Sequence, residues 1–269
     1  MNLISQICVP KTSKLMKIAL IQTHLIWENP LENRSHLGRK ITSFMEDIDL
    51  IVLPEMFSTG FTMHPKSVAE TMQGETLTWL QHLAKAKNAA ITGSLVIAEN
   101  GNFYNRLVFV FPDGKIMHYD KRHLFGLAGE NSEYTAGTQK LIVEYKGWKI
   151  CPQICYDLRF PVFSRNTAHY DLLIYIANWP DKRANAWNIL LQARAIENMS
   201  YVAGVNRIGT DENKNQYSGD SQVVDAMGNY VLTPHQSDSV FIVELDKKQQ
   251  DHNRGKFGFL NDADKFDLG

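Results

Sequence analysis

Short apolar runs recur along the whole chain, and several of them end on a polar or ionisable side chain. No other feature of the sequence narrows the fold as much. Lys17–Thr23 (KIALIQT), Asp49–Glu55 (DLIVLPE), AAITGSLVIAENG with its turn signal at Asn100-Gly101, Trp148–Ile154 and DLLIYIANWP (171–180) are rich in Val, Ile and Leu and too short for stable helices, so they read as buried strands. NRLVFVFPDGKIMHYDK (Asn105–Lys121) reads as two strands turning at Pro-Asp-Gly. SYVAGVNR, SQVVDAMGNYVL and SVFIVELD add further strands. Helical patterns lie between them. One runs from Asn29-Pro30 to about Asp47, with Ile41, Phe44, Met45 and Ile48 at helical spacing. Others are Gly74–Asn88, a short piece in FSRNTAHY, and NAWNILLQARAIENM with Ile189, Leu190, Ala193 and Ile196 on one face.

Strands that alternate with helices, with antiparallel hairpins mixed in, predict an α/β fold. The expected form is a four-layer α-β-β-α sandwich of two mixed sheets with the helices outside. No Pro/Gly/Ser-rich linker and no repeat breaks the pattern, so residues 16–269 are expected to form one domain, with residues 1–15 as an N-terminal extension. The polar tail from Lys247 is expected to lie over the surface.

At 269 residues and 44% hydrophobic the chain can bury a large core without disulfide staples. A net charge of −1 offers no cationic excess for phosphates, which argues against nucleic acid as a partner. No apolar run reaches membrane-spanning length and no basic n-region precedes a sustained apolar segment, so no membrane partner is expected. Three cysteines without repeated spacing do not make a secreted disulfide framework, and the reading is a reducing, cytoplasmic compartment.

The chemistry turns on CPQICYDLRFP (151–161). A structural zinc would want four ligands, and the lone Cys151/Cys155 pair has no second pair downstream. On one strand, residues four apart lie roughly 13 Å from each other, too far for one ion or a disulfide. No metal and no cofactor are therefore assigned. Cys151, inside an apolar run, reads as a small buried hydrophobe. Cys155 ends its strand and is followed by polar YDLR leading toward a helix. Such a turn exposes a side chain, aims backbone N–H groups at an incoming oxygen, and places the thiol at a positive helix end that would favour thiolate. A cysteine nucleophile needs a proton acceptor and oxyanion donors. Of nine histidines only His123 stands near an informative strand end. Glu55 and Lys121, however, each end an apolar strand of their own, where open α/β sheets place their ligands.

Taken together, LPEMFSTGF, YDKRHLF with the following GE, and ICYDLRFP resemble the three catalytic blocks of the nitrilase superfamily, the carbon–nitrogen hydrolases. NWP, ARAIEN, VAGVNRIG and YSGDSQVVDAMG are similar to its later blocks, in order, and the whole match covers about Met16 to Val243. Within that family the chain looks most like the bacterial ω-amidase branch. Val162 stands after RFP where a Glu is frequent, a departure that touches the branch and not the mechanism.

The resemblance implies a Glu55–Lys121–Cys155 triad. Cys155 attacks an amide carbonyl, and Glu55 carries the thiol proton to departing ammonia. Lys121 and the backbone N–H of Tyr156 stabilise the oxyanion, and a thioester is then hydrolysed. Glu55 should sit in a poorly solvated pocket. Glu130 matches a fourth position that orients substrate or water. His123 reads as a supporting residue, and Asp157 with Arg159 as a pair bracing the turn. The implied substrates are ω-amides of short 2-oxo dicarboxylates such as 2-oxoglutaramate and 2-oxosuccinamate. Arg183 or Lys182 would meet the free carboxylate, and Phe61, Phe125 and Trp179 would form apolar walls. The family also implies a homodimer or larger homo-oligomer. Two alternatives stay open on the sequence. One is the same mechanism acting on an N-carbamoyl amine, a nitrile or deaminated glutathione. The other is a catalytically silent, oligomeric binding protein.

Overall fold

The computed structural model describes residues 15–266. The expected extension lies outside the described residues except for Leu15, which opens the first strand.

Each sheet has six strands. The first runs, in spatial order, β14 (Ser239–Asp246), β1 (Leu15–Gln22), β2 (Leu50–Val52), β3 (Ala90–Glu99), β4 (Asn102–Val110) and β5 (Ile116–Asp120). The second runs β13 (Tyr230–His235), β12 (Ser221–Val224), β9 (Tyr201–Asn206), β8 (Leu172–Ala177), β7 (Trp148–Ile154) and β6 (Val143–Tyr145). The centre of each sheet is parallel: Leu20 pairs with Val52 and Val52 with Thr92, and in the other sheet Ile154 pairs with Ile176 and Ile176 with Val205. The flanking pairs are antiparallel, so both sheets are mixed. A separate ribbon, β10 (Ile208–Thr210) with β11 (Gln216–Ser218), projects beyond β9. The Asn100-Gly101 signal is realised as a two-residue turn with both φ angles positive, 51° and 79°, the geometry a tight β3–β4 hairpin needs.

Side-chain alternation divides the interior into three layers of contact. Ile18, Leu20, Val52, Leu107 and Phe109 of one sheet meet Ile150, Ile154, Ile174, Ile176 and Val205 of the other, which puts the sheets face to face. The opposite faces take helices. Ala19, Ile21, Ile51 and Ile91 pack against Leu37 and Ile41 of α1 (Pro30–Ser43) and Leu77, Leu80 and Ala84 of α2 (Glu75–Lys87). Cys151, Leu173, Tyr175 and Val202 pack against Trp187, Leu191 and Ala195 of α3 (Ala184–Asn198). The four layers are those the sequence predicts.

Three local expectations are corrected. Helix α1 stops at Ser43, because Thr42 and Ser43 hydroxyls bond back to the Gly38 and Lys40 carbonyls and Phe44 turns extended; Met45 is 90% exposed. FSRNTAHY gives only a turn of helix over Pro161–Ser164, after which the Asn166 side chain closes a loop on Tyr170 from both its donor and its acceptor ends. In α3 the inward face is not the expected stripe: Ile189 and Ile196 are 56% and 52% exposed, while Trp187, Leu191, Arg194 and Asn198 are buried. Gly204 explains the choice. A Cβ there would lie 2.4 Å from Leu191 Cδ1 and 2.8 Å from Trp187, so only glycine lets this face press onto β9. The tail from Lys247 begins as helix α4 (Lys247–Phe257), anchored by buried Gln250 and by Arg254 bonding to Asp171 and the Met199 carbonyl.

Candidate active site

The parallel strands β2 and β7 deliver Glu55 and Cys155 at their carboxyl ends, and β5 delivers Lys121. The three groups line one cavity of about 520 Å³.

Glu55 is fully buried. Its Oε1 accepts from Lys121 Nζ at 2.9 Å and from Asn105 Nδ2 at 2.9 Å; Oε2 accepts from the Asn178 backbone N–H at 2.8 Å. Lys121, 1% exposed, also donates to both oxygens of Glu130, at 3.0 and 2.9 Å. Glu130 accepts in addition from Asn105 Nδ2 at 3.2 Å and from the Phe125 N–H at 2.6 Å. One ammonium thus bridges two buried carboxylates. Burial alone would lower the Lys121 pKa, but the charges of Glu130 and then Glu55 outweigh it and hold it raised, so Lys121 remains an ammonium. Burial raises the Glu130 carboxyl, Lys121 opposes this, and the nearby charge of Glu55 adds to it; the net direction is up.

Cys155 leaves β7 with φ of +43°, in the left-handed region, and opens a five-residue 3₁₀ turn, Cys155–Arg159. A β-carbon residue held there costs about 1–3 kcal/mol, which surrounding bonds must offset. The thiol is half-buried, 4.0 Å from the Asn178 carbonyl. The expected thiolate-favouring helix end is overridden: burial first and the Glu55 charge second push the Cys155 thiol well up, with Lys121 pulling it down. The turn is too short for a sizeable dipole. Cys155 therefore rests as a thiol beside a carboxylate, which is the arrangement a general base requires. Cys151 lies in the core with its thiol pushed up to about 12 by burial, an inert group.

Phe61, Phe125, Tyr156, Trp179 and Arg183 all line the cavity. Glu130 does not; it sits behind Lys121. The expected Asp157–Arg159 brace is replaced by two separate arrangements. Asp157 is buried and takes its bonds from Tyr119, His123 and Ile154. Arg159 instead lies over the Trp179 ring at 4.9 Å, and Arg183 lies over Phe125 at 5.3 Å. Among the described residues neither guanidinium has a carboxylate partner. Lys182 lies 3.5 Å from Asn215 Oδ1. His123 does not line the cavity but stacks on Phe160 at 3.8 Å, in keeping with a supporting role. Three contributors were missed. Asn105 and Asn178, whose signal was a polar residue inside or ending an apolar strand, hold Glu55; the β10–β11 ribbon supplies a wall through Asp211, Asn215 and Tyr217. Cys155 belongs to no metal-ligand cluster among the described residues. The cluster that does occur, His24, His36 and Asp238, is outside the cavity lining, and Lys40 pairs with its carboxylate.

Residues 17–251 match the family model described as carbon-nitrogen hydrolase. The chain belongs to that family. Among curated proteins this carbon-nitrogen hydrolase is 43% identical to the omega-amidase YafV of Yersinia enterocolitica over 93% of its own length and 98% of the relative's. It is 30% identical to the 2-oxoglutaramate amidase of Bacillus subtilis, covering 92% and 97% of the two chains. The crystal structure of XC1258 from Xanthomonas campestris, described as a CN-hydrolase superfamily protein with an arsenic adduct in the active site, superposes with a TM-score of 0.93 at 41% identity, covering 95% and 99%. The protein is an amidohydrolase of the nitrilase superfamily, in its ω-amidase branch.

Proposed function

We propose that this hydrolase cleaves the ω-amide of short 2-oxo dicarboxylic acid monoamides, with 2-oxoglutaramate and 2-oxosuccinamate as its substrates, to the acid and ammonia. The observation that carries this reading is the convergence of Glu55, Lys121 and Cys155 on one cavity that also holds Arg159 and Arg183, neither of which has a carboxylate partner among the described residues. Cys155 Sγ attacks the amide carbon as Glu55 takes the thiol proton. The oxyanion is held by Lys121 and the Tyr156 N–H. Collapse of the tetrahedral species expels ammonia, which takes the proton from Glu55 and leaves a thioester on Cys155. Water then gives a proton to Glu55, adds to the thioester and releases the acid, and Glu55 returns the proton to the thiol. Glu130 completes the site by holding Lys121 in place from behind.

The free carboxylate is met by Arg183, with Arg159 and Lys182 beside it, while Phe61, Phe125 and Trp179 shield the reacting carbonyl from water. Each arginine lies over an aromatic ring, Arg159 over Trp179 and Arg183 over Phe125, a cation–π contact that leaves the guanidinium donors available to a carboxylate. The test is a kinetic comparison of 2-oxoglutaramate with glutamine, asparagine, an N-carbamoyl amine and a simple nitrile, read by ammonia release. A preference for a substrate lacking the terminal carboxylate would overturn the assignment.

We also read residues 16–269 as one domain and the enzyme as cytoplasmic; no helix among the described residues is long and apolar enough to cross a membrane. A homodimer or larger assembly is supported by the outward stripe of α3, where Ile189 and Ile196 stand exposed, with Val162 54% exposed on the preceding short helix.

A further inference from the structure

Catalysis by this arrangement needs Lys121 and Cys155 in fixed register, yet the two come from different sheets. One buried side chain joins the segments that carry them. Asp157 Oδ2 accepts from the Tyr119 hydroxyl at 2.7 Å and from the Ile154 N–H at 2.9 Å. Its Oδ1 accepts from the His123 N–H at 3.1 Å and from His123 Nδ1 at 2.7 Å. Tyr119 and His123 flank Lys121 on both sides, and Ile154 immediately precedes Cys155. The grip is reinforced at each end: the Tyr119 oxygen accepts from the Arg122 N–H at 3.0 Å, and the His123 ring lies parallel on Phe160 at 3.8 Å.

From this geometry we infer that Asp157 is a positioning residue for the reaction: its carboxylate is the strut that sets the Lys121 ammonium against the Cys155 thiol across the two sheets. The Tyr119 hydroxyl and the Ile154 N–H donate to Oδ2 and the His123 N–H donates to Oδ1, so the strut requires a group that accepts at both oxygens, as a carboxylate does. Against such a carboxylate the 2.7 Å contact from His123 Nδ1 is a hydrogen bond when the imidazole proton is on Nδ1. The same contacts hold the backbone just before the left-handed Cys155, the strained point that keeps its side chain facing the cavity.

The inference rests on the thiol mechanism proposed above, and its test includes a measurement that needs no amide. Asp157→Asn preserves size but sets an NH₂ against two of the four donors. With turnover expressed per alkylatable Cys155, kcat should fall about 10²-fold, the cost of roughly 1 Å of misplacement, with KM within about 3-fold. Iodoacetamide alkylation of Cys155 near neutral pH should slow by about 10-fold or more in the same variant, whatever the substrate. Tyr119→Phe removes one donor, keeps the ring, and should lower kcat by about 3- to 10-fold; it carries the test if Asp157→Asn does not fold. Leu173→Ala, a core change elsewhere in the second sheet, controls for destabilisation and should lower Tm while leaving kcat per reactive thiol unchanged. Unchanged kcat and alkylation in both Asp157→Asn and Tyr119→Phe, or losses reproduced by Leu173→Ala, would overturn the strut. Failure of the wild type to hydrolyse 2-oxoglutaramate would refute the substrate reading and leave the alkylation result standing.

Discussion

Lys121 is the residue whose removal separates the structural from the catalytic role of buried charge. Its ammonium is 1% exposed and makes three charge-assisted hydrogen bonds of 2.9–3.0 Å, one to Glu55 and two to Glu130. Lys121→Met keeps the apolar stem and leaves two buried carboxylates facing each other. Breaking such a pair costs about 3–5 kcal/mol, which for a chain of this size lowers Tm by on the order of 10 °C. The catalytic loss is separate: one oxyanion donor is worth about 10²- to 10³-fold in kcat. The pH dependence has a definite sign. The Glu130 carboxyl is already raised by burial, so between the ordinary glutamate value and its raised native value the native state holds this proton more tightly than the unfolded state, and stability falls as pH rises through that window. Without Lys121 that carboxyl rises further. Lys121→Met should therefore lose more stability relative to wild type at pH 8 than at pH 5.5, followed by thermal unfolding with circular dichroism. Adding Glu130→Gln should restore much of the stability and none of the turnover, measured as coupled ammonia release. A single variant that keeps its Tm and keeps kcat within about 3-fold would show that neither the buried charge nor the oxyanion donor matters.

Three further outcomes follow from the same geometry. Glu55→Gln removes a charge that raises the Cys155 thiol, so the alkylation midpoint should move to lower pH even as turnover collapses; an upward shift would show that Glu55 does not face the thiol. Arg183→Met and Arg159→Met should each raise KM for 2-oxoglutaramate by about 10-fold or more, the loss of a charge-assisted carboxylate contact, and leave a neutral amide unaffected in parallel kinetics. Ile189→Glu with Ile196→Glu should shift the sedimenting species to a smaller assembly without changing Tm by more than a few degrees, since both side chains face outward.

Much of this fold is legible in the sequence because buried parallel strands leave nearly continuous apolar runs, and because Glu55, Lys121 and Cys155 stand at or just beyond the ends of three of them. The helix faces are less legible. In α3 the inward stripe contains Arg194, whose guanidinium caps the Leu158 carbonyl at 2.7 Å, and Asn198, whose amide bonds Arg194 O and Asn166. Two polar residues on the buried face, with two isoleucines on the outer one, shift the apolar period by about one position. The partners of Asp157 are not legible at all. Arg159 is the near neighbour with the complementary charge, but Tyr119 and His123, more than thirty residues upstream, fill the carboxylate's acceptor sites first. Asn105 illustrates the same limit: it is one polar residue in an apolar strand until the fold sets Glu55 and Glu130 on either side of its amide.

Covalent catalysis by Cys155 requires an acyl-enzyme, which intact-protein mass spectrometry after acid quench during turnover of 2-oxoglutaramate would detect. We predict an added mass equal to the acyl group of the substrate, mapped by peptide analysis to Cys155 and absent in Cys155→Ala. Turnover by Cys155→Ala, or an adduct mapped to any other residue, would contradict it.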